Sequence, residues 1–145
     1  MLIRKADIQD LPVLAALACK LWEHHTEEEM LPEMGEIIRN PDAAFFLAME
    51  ADKTVGFAQC QLRHDYVEGT DGSPVGYLEG IYVLPENRHR GIAKALLSEG
   101  EKWAAGKGCS QFASDCELHN TESLRFHLGV GFAEANRIIC FVKKI

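Results

Sequence analysis

The sequence predicts an α/β sandwich built on one mixed sheet, and three observations predict it. Segments with a 3.6-residue apolar period alternate with short β-rich apolar runs, in the order β-α-α-β-β-β-α-β-α-β. The strand over 75–83 stops at Pro85, which cannot donate to a sheet ladder, and leads through Arg88-His89-Arg90-Gly91 into an amphipathic helix. The 145 residues contain 47% apolar and 26% charged side chains, without repeats or low-complexity stretches, as expected for one globular domain over 1–145.

The elements follow in order. Residues 1–5 form a first strand. Asp7 caps a helix whose apolar positions are Ile8, Leu11, Leu14, Ala18, Leu21 and Trp22. Thr26 and Glu29 have capping-box spacing, so a second helix runs from Glu27 to Arg39, ended by Asn40-Pro41-Asp42. Strands over 43–49 and 55–62 are joined by a turn at Ala51-Asp52-Lys53, and a polar loop over 63–73 turns at Asp71-Gly72. After the strand over 75–83, a helix extends from Gly91 to Gly106, with a short strand over 111–114 beyond it. The next helix spans 121–130, with Gly131 as its C-cap. The unbroken apolar run Ile138 to Val142 predicts a last strand, either covered on both faces or lodged against a second protomer.

Charge and cysteine usage narrow the function. Fifteen Lys and Arg against 22 Asp and Glu give a net charge of −7, which disfavours nucleic acid and suits a cationic partner where the acids line a cleft, with solubility alone as the alternative. The N-terminus lacks the apolar core of a secretory signal and no apolar stretch approaches membrane-spanning length, so the expected compartment is the cytoplasm. The five cysteines form no C-x-x-C pair and read as reduced core thiols. Adjacent His24 and His25 stand in no ligand cluster, so no metal is expected.

The turn after Pro85 carries the clearest chemistry. Gly91 and Ala93 allow close backbone approach, and the first amides of the following helix have no internal acceptor. Free N–H groups, the helix dipole and basic side chains at one turn suit a diphosphate. Arg88-His89-Arg90-Gly91-Ile92-Ala93, preceded by Val83-Leu84-Pro85, resembles the R/Q-x-x-G-x-G/A signature of the GNAT acetyltransferases.

The resemblance narrows further. Leu21-Trp22, His25, Arg63-His64-Asp65-Tyr66-Val67, Ser73-Pro74-Val75, Leu78-Glu79-Gly80-Ile81, Ala113-Ser114-Asp115, Asn120 and Gly131-Phe132 are together similar to the aminoglycoside 6′-N-acetyltransferases. It implies the GNAT fold, with a mixed, mostly antiparallel sheet flanked by helices, and acetyl-CoA as co-substrate. It implies that Ile81, Tyr82 and Val83 hold acetyl-CoA through backbone, together with His89, Arg90, Gly91, Ile92, Ala93 and Lys94, and that Asn120 binds the pantetheine arm. Trp22, His25, Tyr66, Glu79, Asp115 and position 136 would line the aminoglycoside cleft. The family pattern is acidic at position 136, where this chain has Asn136, so one point of attraction for a polycation is expected to be lost.

The reaction needs a deprotonated amine and a stabilised oxyanion. Glu79 lies within a strand, where an unpaired carboxylate is costly, and a cationic substrate would supply its partner. It is assigned as substrate ligand and proton acceptor, with a structural carboxylate bonded to backbone as the alternative. A backbone N–H near Val83 would meet the oxyanion. His127, four residues before Gly131, is the candidate acid for the leaving thiolate, with an incidental surface histidine as the alternative. Trp22 and His25, three residues apart, are expected on one helix face, the Trp as a wall for a sugar or as core. Asp115 would pair with an ammonium or cap a turn. The rival functions are acetylation of a polyamine, small metabolite or peptide amine, and a CoA-binding sensor without turnover. A homodimer is expected from the apolar tail.

Overall fold

The computed structural model describes all residues, 1–145. Its elements are β1 (Leu2–Lys5), a 3-10 turn (Ile8–Asp10), α1 (Leu11–Leu21), α2 (Glu27–Arg39), β2 (Ala43–Glu50), β3 (Lys53–Arg63), β4 (Val75–Val83), a 3-10 turn (Pro85–Asn87), α3 (Ile92–Gly106), β5 (Phe112–Ser114) and α4 (Thr121–Gly129). The five strands lie in the order β1-β2-β3-β4-β5. Every neighbouring pair is antiparallel except β4 and β5, which run parallel. The mixed, mostly antiparallel sheet flanked by helices is as expected.

Local chemistry sets the element ends. Asp7 caps the first turn through Gln9 N–H, and Asp10 completes the capping box. Arg4 grips Asp10 with two bonds of 2.8 Å, tying β1 to the start of α1 and holding the Asp10 carboxyl below its ordinary range. Thr26 accepts from Glu29 N–H, but the Glu29 side chain turns to His25 instead of closing the predicted box.

The core is one large cluster filled from both faces of the sheet. Along β3, Phe57 and Gln59 face α1 and α2, where Phe57 packs on Trp22. Cys60 faces α3 and sits against Gly100. Cys19 and Cys109 are half-buried. Cys116 and Cys140 are exposed, so only Cys60 fits the expectation of a core thiol outright.

The predicted last strand does not form. Residues beyond Phe132 have no regular structure, and Phe141 and Val142 are 90% and 97% exposed. The run is therefore not covered on both faces. An unbroken apolar run marks burial somewhere, and this chain alone offers no strand edge that takes it.

Burial pushes the Cys60 thiol up to about 12. Because the folded value is raised, its contribution to stability is complete below the ordinary thiol range and is lost as pH rises through that range towards 12. With a thiol reagent at pH ~8, Cys116 and Cys140 should react at once and Cys60 only on unfolding. Mass spectrometry of the labelled peptides checks this.

Candidate active site

A bulge in β4 organises the site. Gln59 pairs with Gly80 and Cys60 with Leu78, so Glu79 has no partner of its own on β3. An extra residue of this kind bends its strand and re-aims a side chain. On the other edge of β4, pairing with β5 ends at Leu78 and Ser114. From Glu79 onward β4 and β5 part, leaving the β5-facing edge of β4 open.

The open edge presents main-chain donors. Leu84 N–H bonds to Val55 O, so alternation turns Tyr82 towards β3 and Ile81 and Val83 away from it. Ile81 and Val83 therefore offer N–H groups to the opening. Tyr82 does not, and its ring carries the Arg88 guanidinium 5.2 Å away. Arg88 Nε also donates to Val83 O at 2.8 Å, fixing the end of the strand.

The turn that follows is a nest. His89 has φ 61° and Gly91 φ 81°, and no side chain caps α3. The first-turn amides of Ile92, Ala93 and Lys94 are thus free for an anion. Ile92 is buried in the core, so it contributes backbone only. Arg90 points away to Glu50, at 2.7 Å, leaving main chain as its contribution as well. The cradle fits a diphosphate through backbone rather than through basic side chains.

The acceptor side lies on the other face of the sheet. Trp22, His25 and Glu79 line one cavity with Met30, Glu33 and Gln59. The expected shared helix face is not how they meet. α1 ends at Leu21, Trp22 leaves helical geometry, and His25 sits in a turn whose N–H bonds back to Trp22 O at 3.2 Å. The Trp22 ring packs on Gly80 so closely that a Cβ there would lie 2.6 Å from it. Trp22 is thus both partly core and cavity wall.

Glu79 is not the unpaired carboxylate expected. Its side chain is 22% exposed, and Arg63 holds both oxygens, through Nε at 3.0 Å and Nη2 at 2.9 Å. Arg63 also stacks 3.4 Å above the Tyr77 ring, and Tyr77 donates its hydroxyl to Asp115. Burial and Asp115 together raise the Tyr77 phenol above its ordinary range. Asp115 therefore accepts from a side chain rather than capping a turn.

Tyr66 and Asn136 meet away from this cavity. Tyr66 is 81% exposed and donates to Glu68 at 2.7 Å; Asn136 donates to the other Glu68 oxygen at 3.1 Å. These bonds hold the Glu68 carboxyl below its ordinary range. A negative charge thus stands beside Asn136 after all, brought by the loop after β3.

On the β5 side, Asn120 caps α4 by accepting from Ser123 N–H at 3.2 Å through its side-chain oxygen, which leaves its NH₂ group uncommitted. His127 is not an incidental surface residue. Its Nδ1 lies 2.7 Å from Ser123 O and its Nε2 2.8 Å from Ser114 Oγ, with Phe126 and Phe132 against the ring. Ser114 is the last β5 residue before the strands part. No group of three His, Cys, Asp or Glu stands ready for a metal ion.

Sequence reasoning missed Arg63, Gln59, Gln61, Glu33 and Glu36, all of which line an open cleft of about 490 Å³ with Glu79. A signal existed. Gln59, Gln61 and Arg63 recur every second residue in an otherwise apolar strand, so they share one face.

Residues 11–132 match the model of the acetyltransferase (GNAT) family. The chain belongs to that family. Among curated GNAT relatives, aminoglycoside N(6′)-acetyltransferase type 1 of Salmonella typhimurium is 40% identical over 142 residues, 98% of each chain. The enzyme of the same name from Acinetobacter haemolyticus is 38% identical over 145 residues, 100% of this chain and 99% of its own. The solved structure of AAC(6′)-Iy in complex with a bisubstrate analog, CoA-S-monomethyl-acetylneamine, superposes with a TM-score of 0.95 at 40% identity. The match covers 99% of this chain and 97% of that one. Apo AAC(6′)-IG from Acinetobacter haemolyticus superposes equally well, TM-score 0.95 at 38% identity, over 100% and 99% of the two chains.

A Cβ added to Gly91 would meet nothing within 4 Å, so replacement there is opposed by backbone conformation, not by a clash. Gly91→Ala should cost about 1–2 kcal/mol of stability or shift the turn out of the left-handed region. Coenzyme A affinity measured by calorimetry should fall with it, while aminoglycoside affinity stays as in the parent.

Proposed function

We propose that this chain, acting over residues 1–145 as one catalytic domain, transfers the acetyl group of acetyl-CoA to the 6′-amine of aminoglycosides and thereby confers resistance. The observation that carries the reading is the bulge at Glu79. It sets a carboxylate on the acceptor face at the point where β4 parts from β5 and exposes the Ile81 and Val83 N–H groups. Near-complete relatives at about 40% identity, named for this activity, support the same reading.

The residues present fit acetyl-CoA. The nest at His89 to Lys94 suits its diphosphate, the open edge of β4 its amide-bearing arm, and Asn120, whose Oδ1 alone is engaged by Ser123, keeps its NH₂ group for that arm. Bound there, acetyl-CoA supplies the thioester carbonyl. Glu79 receives the substrate ammonium and takes one proton from it, directly or through water, freeing the nitrogen lone pair. The Val83 N–H stabilises charge on the carbonyl oxygen as the C–N bond forms and the C–S bond breaks. The nitrogen gives up its second proton to water as the amide forms, and the departing sulfur takes a proton through the Ser114 hydroxyl, which is resupplied from solvent across its 2.8 Å contact with His127 Nε2. Trp22 and His25 wall the sugar; Asp115, Tyr66 and Asn136 with Glu68 extend the acceptor surface. The reaction takes place in the cytoplasm, where acetyl-CoA is available.

Purified protein with acetyl-CoA and kanamycin or tobramycin should release free thiol, with the acetyl group on the 6′-nitrogen by NMR. Release with other amines alone, or binding without release, overturns the assignment. Glu79→Gln should lower kcat by about 10²-fold or more, the range of general base catalysis, with coenzyme A affinity within about twofold of the parent.

The exposed tail supports a homodimer. Ile138, Ile139, Phe141, Val142 and Ile145 project from a segment with no partner in its own chain, a patch of the kind that association covers. Light scattering should give twice the chain mass for the full protein and a monomer, or aggregate-free loss of the dimer, on deletion of residues 138–145.

A further inference from the structure

Arg63 occupies the place where an acceptor's positive charge would go. It closes β3 opposite Val75 and reaches diagonally across Tyr77 to both oxygens of Glu79. The paired geometry is that of a strong arginine–carboxylate fork. Yet the guanidinium is 40% exposed and stands at a strand end, so it can withdraw by side-chain rotation without moving the sheet. Around it the cleft carries Glu33 and Glu36 on α2, so a cation displaced into the cleft stays in a negative environment.

We propose that Arg63 is an internal competitor of the acceptor amine: it neutralises Glu79 in the acceptor-free protein and yields that carboxylate to the substrate ammonium on binding. The inference rests on Glu79 as acceptor ligand. It makes Arg63 a specificity-determining residue. An acceptor with a single ammonium only exchanges one cation for another at Glu79 and gains little. One with several ammonium groups, as an aminoglycoside has, gains further from Glu33 and Glu36, so its binding outlasts the exchange. The competition also keeps small monovalent cations out of the site.

Calorimetric titration of tobramycin into parent, Arg63→Gln and Arg63→Lys proteins tests this. Removing an ion pair of this exposure should tighten tobramycin about fivefold in Arg63→Gln. Arg63→Lys, which keeps charge without the fork, should fall between. Guanidinium chloride at low millimolar concentration should weaken tobramycin binding to Arg63→Gln beyond the effect of equal sodium chloride, and not do so for the parent. Equal or weaker tobramycin binding in both variants, with coenzyme A affinity and Tm as in the parent, overturns the proposal. If Arg63→Gln does not fold, a lysine variant no tighter than the parent overturns it alone. Parent protein that acetylates no aminoglycoside overturns the acceptor reading itself; parent turnover without tightening in the variants overturns only the role of Arg63.

Discussion

The whole site depends on β4 being paired on both edges up to Leu78 and on one edge beyond it. A central strand that loses a neighbour halfway along has to leave main-chain donors without partners, and such groups are costly to bury dry. Here they are not a defect. They form the lining of a slot whose floor is a sheet and whose far end is the amino terminus of α3. The bulge at Glu79 sits at the same point of the strand, so a single irregularity both opens the slot and turns a carboxylate to the opposite face.

Electrostatics on the two faces follow different logics. The donor side relies on oriented N–H groups, with φ above zero at His89 and Gly91 aiming them, while Arg88 and Arg90 direct their charge to Val83 O and Glu50. The acceptor side relies on side chains already engaged with one another: Arg63 with Glu79, Tyr77 with Asp115, Tyr66 and Asn136 with Glu68. Such a network keeps its carboxylates oriented before a ligand arrives, at the cost of having to open.

Much of this was legible in the sequence, for local reasons. The strand, turn and helix over 75–106 are written in near-neighbour chemistry: a proline stop, a glycine with positive φ, an apolar helical stripe. Caps at Asp7 and Thr26 are equally local. The Arg63–Glu79 pair was not legible, because it needs the register of β3 against β4 and the bulge within it, and neither is encoded in spacing. The side chains of α2 were hidden for a related reason. Glu33 and Glu36 look like ordinary solvated residues until the helix is laid over Gln59 and Gln61. The tail misled because an unbroken apolar run reports that a surface is buried without saying by which chain.

The parallel contact between β4 and β5 spans only Gly76 to Leu78, and α4 hangs from it. The division of labour across β4 has an evolutionary corollary. Main-chain recognition survives almost any side-chain replacement, whereas the opposite face is assembled from interchangeable rings and acids on a loop, a helix and a strand end. Drift in drug preference can therefore accumulate on one side of the sheet while the thioester half stays chemically untouched.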